Sequence, residues 1–131
     1  MKTRPFDIGE DLPLPLARLV WEWEEKRRPH GCAPRSAFPL LRLPGGGARL
    51  AFVLAPVGDG AYETRLTGAL CPAELDDTTL ADAAYEAWLT RTPMTLDSGD
   101  WRAVLVPLAD GDTHIVLGLV AAKQSPAREA A

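Results

Sequence analysis

From Leu14 to Arg27, Leu16, Leu19, Val20 and Trp23 recur at helical spacing while Arg18, Glu22, Glu25 and Lys26 take the other side. An amphipathic helix over 14–28 follows, entered through Pro13 and Pro15. Trp21 falls off the apolar stripe, so it either packs at the helix margin or meets something outside the monomer. The prolines and glycine of 29–35 then read as a linker. Beyond Pro44-Gly45-Gly46-Gly47 the period changes to two: Leu50, Phe52 and Leu54 alternate with Arg49, Ala51 and Val53. Gly58-Asp59-Gly60 tolerates positive φ, and Tyr62 to Leu66 alternates again, which predicts an antiparallel hairpin.

Pro72 to Leu75 is long enough for one helical turn. A firmer helix is predicted from about Thr79 to Leu89, with Leu80, Ala83, Ala84, Ala87 and Trp88 on one side and Thr78 or Thr79 as its cap. Thr92-Pro93 ends it, and a short strand fits around Met94 to Leu96. Trp101 to Leu108, a turn at Asp110-Gly111-Asp112, and His114 to Ala122 predict a second hairpin.

Both alternating sets of that second hairpin are apolar. Val104, Val106 and Leu108 oppose Trp101, Ala103 and Leu105, and Ile115, Leu117 and Leu119 oppose Val116 and Val120. A sheet with one wet face alternates apolar with polar, so this sheet centre needs cover on both sides. The helix around Leu80 to Trp88 can supply one cover. The N-terminal helix, a second copy or a docked partner supplies the other, and Leu16, Val20, Trp21, Trp23, Val104, Val106 and Val116 are the interface candidates. Leaving several such side chains wet forfeits roughly 1.5 to 3 kcal/mol each, comparable in sum with the stability of a whole domain.

Composition narrows the functional classes. The 131 residues suffice for one core, which sets an α+β domain over 14–123 between an N-terminal tail (1–13) and a disordered tail (124–131). A net charge of -4, with Lys26-Arg27-Arg28 as the single basic run at a helix end, points away from nucleic acid. The first residues lack the apolar core of a signal peptide and no stretch is a membrane span, so a cytoplasmic protein with no membrane association is expected. Cys32 and Cys71 are too few for a disulfide framework.

No constellation reads as an active site. His30 and Cys32 lie in a Pro/Gly linker without an orienting carboxylate. His30, Cys32, Cys71 and His114 are too scattered for a zinc shell, and Asp110 to His114 is turn chemistry rather than a calcium loop. The glycine triplet precedes a strand and presents no helix N-terminus to a phosphate. No catalytic residue, metal or cofactor is therefore expected. A small ligand would be lined by Phe52, Leu54, Leu66, Leu80, Ala84, Trp88 and Leu105, which are also the expected core.

The Trp-containing first helix, Ala33-Pro34-Arg35-Ser36-Ala37-Phe38, Tyr62-Glu63-Thr64-Arg65-Leu66-Thr67-Gly68 and Leu105-Val106-Pro107-Leu108-Ala109-Asp110-Gly111 together resemble a family of stand-alone bacterial PAS proteins, over roughly 14–122. The resemblance implies a five-stranded antiparallel sheet with its helices between strands two and three on one face, plus the N-terminal amphipathic helix. It also implies a non-catalytic signalling module acting through contacts with a protein partner or as a homodimer. A small-molecule sensor is the alternative, and a small α+β enzyme the third reading. The segment between Gly68 and Thr92, which walls the ligand pocket in PAS domains, is shortened here and favours the protein-interaction role. That segment also lacks the histidine of haem-binding PAS domains, and the Asn-Cys-Arg type motif of photoactive flavin domains is absent.

Overall fold

In the computed structural model, residues 2–6, 12–27, 32–38, 49–58, 60–72, 75, 77–97, 100–110 and 113–122 are described. The periodicities become, in chain order, strand β1 (Lys2–Pro5), helix α1 (Leu14–Lys26), a 3-10 turn (Arg35–Ala37), β2 (Ala51–Gly58), β3 (Ala61–Thr67), helix α2 (Asp77–Thr90), β4 (Met94–Asp97), β5 (Trp101–Asp110) and β6 (Thr113–Ala122). The class is α+β, and all six strands join one antiparallel sheet in the order β1-β4-β5-β6-β2-β3. The glycine triplet, His30, the Gly111-Asp112 turn and the tail 124–131 lie outside the described residues.

The expected five strands are six, because residues 2–5 form β1 rather than tail. β1 pairs along β4 from Lys2 opposite Asp97 to Pro5 opposite Met94, and the Phe6 N–H donates to the Pro93 carbonyl at 2.9 Å. This pairing satisfies the backbone of β4 on its outer side, and the buried Thr95 hydroxyl donates to the Arg4 carbonyl at 3.2 Å. Pro5, which has no N–H, sits at the end of an edge strand, where it breaks no ladder. On the far side of β4, Asp97 faces Arg102 across the ladder and the two form a 3.4 Å ion pair.

The apolar β5–β6 hairpin receives cover on both faces from this chain. On one face Val104, Val106, Leu108, Leu117 and Leu119 pack with Leu16, Leu19, Val20 and Trp23 of α1. On the other, Trp101, Ala103, Leu105, Val116 and Val120 pack with Leu80, Ala83, Ala84 and Ala87 of α2. The two layers on β5–β6 follow directly from residue parity along the strands.

Local chemistry fixes how each helix is docked. α1 starts at Leu14 after Pro13, with no side-chain cap, and Pro15 occupies its first turn, where a missing N–H costs nothing. Pro107 lies beyond Leu105, the last β5 residue paired with β4, so its carbonyl is free of that ladder. It accepts from the Trp23 Nε1–H at 2.7 Å and pins α1 to the strand. The linker passes the same place: Ala33 bridges Leu108, and the Ala109 N–H donates to the Ala33 carbonyl at 3.1 Å. α2 begins at Asp77, which places Thr78 and Thr79 inside its first turn rather than at its cap.

Candidate functional site

The residues expected to line a pocket divide into three groups. Phe52, Leu54, Leu80, Ala84 and Leu105 are buried together between the sheet and α2, as core. Small residues close this layer: Ala83, Ala84 and Ala87 let the helix approach the sheet, and Gly118 lies directly opposite Phe52 on the neighbouring strand. A Cβ on Gly118 would stand 2.1 Å from two carbons of the Phe52 ring, so the ring occupies the space that a side chain there would need. Trp88 is half-buried near the C-terminal end of α2.

Leu66 is a correction. Period-two extrapolation from Phe52 and Leu54 puts it on the α2 face, but the β2–β3 register shifts between Val53 and Leu54 and pairs Leu66 with Val53. Val53 packs against the α1-side core, so Leu66 belongs to that face, at the edge strand, and is 40% exposed. A bulge inserts one residue and reverses the side of everything beyond it.

The interface candidates are redistributed in the same way. Leu16, Val20, Trp23, Val104 and Val106 are buried inside the chain, where α1 meets the sheet, and Val116 is buried on the α2 face. Intrachain packing has consumed the apolar surface from which an interface was inferred. Trp21 alone of these candidates stays open, 60% exposed, with Leu14 at 59% seven residues earlier on the same helix.

Among the described residues, chemistry-bearing side chains converge at the end of α2. Tyr62 on β3, Trp88 and Arg91 at the α2 terminus and His114 on β6 form a continuous stack. The His114 ring lies 3.6 Å from that of Trp88 and within 2° of parallel. Its Nε2 is 2.7 Å from the Tyr62 Oη, and the phenol ring meets it edge-on at 5.7 Å. The Arg91 guanidinium lies 3.6 Å from the Trp88 ring centre and also donates to the Trp88 carbonyl.

Burial sets the protonation states in this stack. It lowers the His114 pKa below 6.5, and the Arg91 charge adds to the effect. Burial pushes the Tyr62 phenol up to about 12 against the opposing pull of Arg91. The pair is therefore a protonated phenol and a neutral imidazole at neutral pH, and Nε2 accepts the phenol hydrogen bond when the ring proton is on Nδ1. Cys32 is buried, and burial raises its thiol pKa despite Arg91 and Arg27, so little thiolate forms near neutrality. Cys71 is likewise raised by burial, against a backbone hydrogen bond from Gly68 that lowers it.

Sequence reasoning flagged His114 as an isolated metal candidate and Trp88 as pocket lining, and it missed Tyr62 and Arg91. The one local signal was the helix stop at Thr92-Pro93, which makes Arg91 a terminal residue. Among the described residues no three His, Cys, Asp or Glu side chains gather to hold a metal ion, and no helix is long and apolar enough to cross a membrane. Compared with protein-family models, with curated proteins and with solved structures, the chain matches none.

Proposed function

We propose that this chain is a non-catalytic, PAS-like signalling module that acts through contact between two copies. The strand order supports the PAS-like reading: the five strands after β1 run β3-β2-β6-β5-β4, with α2 inserted between the second and third of them in sequence. The amphipathic N-terminal helix that the resemblance implies is also present, as α1, packed on the sheet face opposite α2. The closed packing of Phe52 over Gly118 and of the α2 alanines favours an output by surface contact over a ligand cavity.

The observation that carries the contact is Trp21. A helix that buries Leu16, Leu19, Val20 and Trp23 inward still presents its largest outward side chain to solvent, in line with Leu14. Tryptophan is the residue type most enriched at interface hot spots. The outward stripe is also self-complementary in charge: an antiparallel pairing of two α1 helices about Trp21 sets the exposed Arg18 of one copy toward Glu24 and Glu25 of the other.

Light scattering after size exclusion tests this reading. A concentration-dependent dimer is expected for the full chain, and Trp21→Arg is expected to shift it to monomer with a melting temperature, measured at low concentration, within a few degrees of the parent. Monomer at every concentration in the parent chain overturns the reading.

A further inference from the structure

We propose that His114 is a proton-operated latch: protonating its ring sets a second cation on the indole that already carries Arg91, and so releases the C-terminal turn of α2. The inference rests on the stack and not on the dimer contact, and it holds for monomer and dimer alike.

The backbone at this helix end is unusual. Arg91 has φ of 53°, in the left-handed region that normally belongs to glycine or asparagine. The turn is closed by the Arg91 N–H donating to the Trp88 carbonyl at 3.3 Å and the Thr92 N–H donating to the Ala87 carbonyl at 3.2 Å. A bulky residue in this conformation is strained and persists only where its surroundings hold it. What holds Arg91 is its own side chain, laid on Trp88 and bonded to the Trp88 carbonyl. Trp88 in turn is stacked on His114, and His114 is tied to Tyr62 on the edge strand β3. One imidazole therefore links the helix end to two strands.

The charges around that ring make its protonation consequential. From α2 it meets Trp88 and the Arg91 cation, with Tyr85 near Tyr62; from β3 it meets the Tyr62 phenol; and Cys32, from the linker, lies within electrostatic reach of both Arg91 and Tyr62. Burial keeps the Tyr62 phenol and the Cys32 thiol protonated at neutral pH, and among the described residues Arg91 has no ion-pair partner. A proton on His114 therefore repels Arg91, and among the described residues no carboxylate is paired with either group. It also reverses the Tyr62 hydrogen bond, because a charged ring has only donors to offer. Arg91 is the strained member, so it yields first, and the two hydrogen bonds closing α2 loosen with it.

The direction with pH follows from linkage. The His114 pKa in the closed stack lies below its ordinary 6.5, by burial first and Arg91 second. Above the ordinary value both closed and opened states hold a neutral ring and the latch is shut. As the pH falls below it, the opened state takes up a proton that the closed state refuses, and opening is favoured until the closed ring protonates too. Each unit of separation between the two pKa values raises the opening equilibrium by up to about tenfold.

NMR on the full chain between pH 8 and 4.5 tests the proposal. The His114 ring is expected to titrate below 6.5, and the Arg91 and Thr92 amides to shift with the same midpoint. Thr92 amide exchange, corrected for its intrinsic pH dependence, is expected to accelerate across that midpoint. In His114→Phe, which keeps a ring against Trp88 but binds no proton, the acceleration is expected to vanish. In Arg91→Gly, which takes the left-handed conformation without strain and removes the cation, the His114 midpoint is expected to rise toward 6.5 and Thr92 exchange to stop following it. A parent chain in which His114 titrates while the Arg91 and Thr92 amides stay still overturns the latch. So does an acceleration that persists unchanged in His114→Phe or, should that variant not fold, in Arg91→Gly.

Discussion

Gly118→Ala is expected to destabilise the chain by about 3 kcal/mol, at the upper end of what overpacking a core costs, and to lower its melting temperature by roughly 10 °C. The new methyl would lie 2.1 Å from Cε2 and Cζ of Phe52 and 2.7 Å from Cδ2, well inside van der Waals contact. Phe52 is fully buried in the layer filled by Leu54, Leu80, Ala83, Ala84 and Ala87, so its ring has no open space to retreat into. Backbone freedom is not at issue, because Gly118 is not among the glycines of positive φ. The clash predicts strong coupling: in Phe52→Leu the ring carbons are gone, and adding Gly118→Ala is expected to cost under about 1 kcal/mol. Urea unfolding of the four chains in that cycle measures it, and a single Gly118→Ala variant within about 0.5 kcal/mol of the parent would show that the α2 face is looser than described.

Trp23→Ala is expected to cost still more, about 4 kcal/mol, within the range for deleting a buried tryptophan. The side chain is fully buried between α1 and the sheet, packed in the cluster that holds Val104, Val106, Leu117 and Leu119. Its indole N–H is also the donor to the Pro107 carbonyl, which β4 does not reach. Trp23→Phe separates the two contributions, since it keeps most of the packing and leaves that carbonyl unpaired, for about 1 to 2 kcal/mol. With α1 loosened, one apolar face of the central hairpin is bared, and the alanine variant is expected to self-associate on partial unfolding. Equilibrium unfolding with light scattering reads both effects. An unchanged midpoint in Trp23→Ala would mean that α1 is not the cover of this face, and the face would then be free for a partner.

The two variants bear on opposite sides of one sheet. Both inner layers are closed by this chain's own residues, Gly118 with Phe52 on one side and Trp23 with Pro107 on the other. The proposed contact and response lie at the periphery instead, at the outward stripe of α1 around Trp21 and at the stack at the end of α2.

By itself the amino-acid sequence determined what is local and periodic. The inward stripe of α1, the alternation in β2, and above all the doubly apolar β5–β6 hairpin were legible because side-chain direction repeats every 3.6 residues in a helix and every two in a strand. That hairpin's parity also dictated that two covers were required, and which residues each cover would meet. Tertiary structure alone decided the rest, because those features depend on residues far apart in the chain. β1 is four residues without an apolar pattern, and it becomes a strand only because β4, some 90 positions later, has an unpaired side. Leu66 changed face because a bulge breaks the period on which its placement relied. Whether α1 or another protein would shelter Val104 and Val106 was undecided until Trp23 met the Pro107 carbonyl 84 residues away. His114 stood alone in the sequence, and only the joining of β6 to β2, with α2 laid across them, brought Tyr62, Trp88 and Arg91 around it. Long-range contacts of this kind are made by the pairing of strands and the docking of helices, and no local pattern records them.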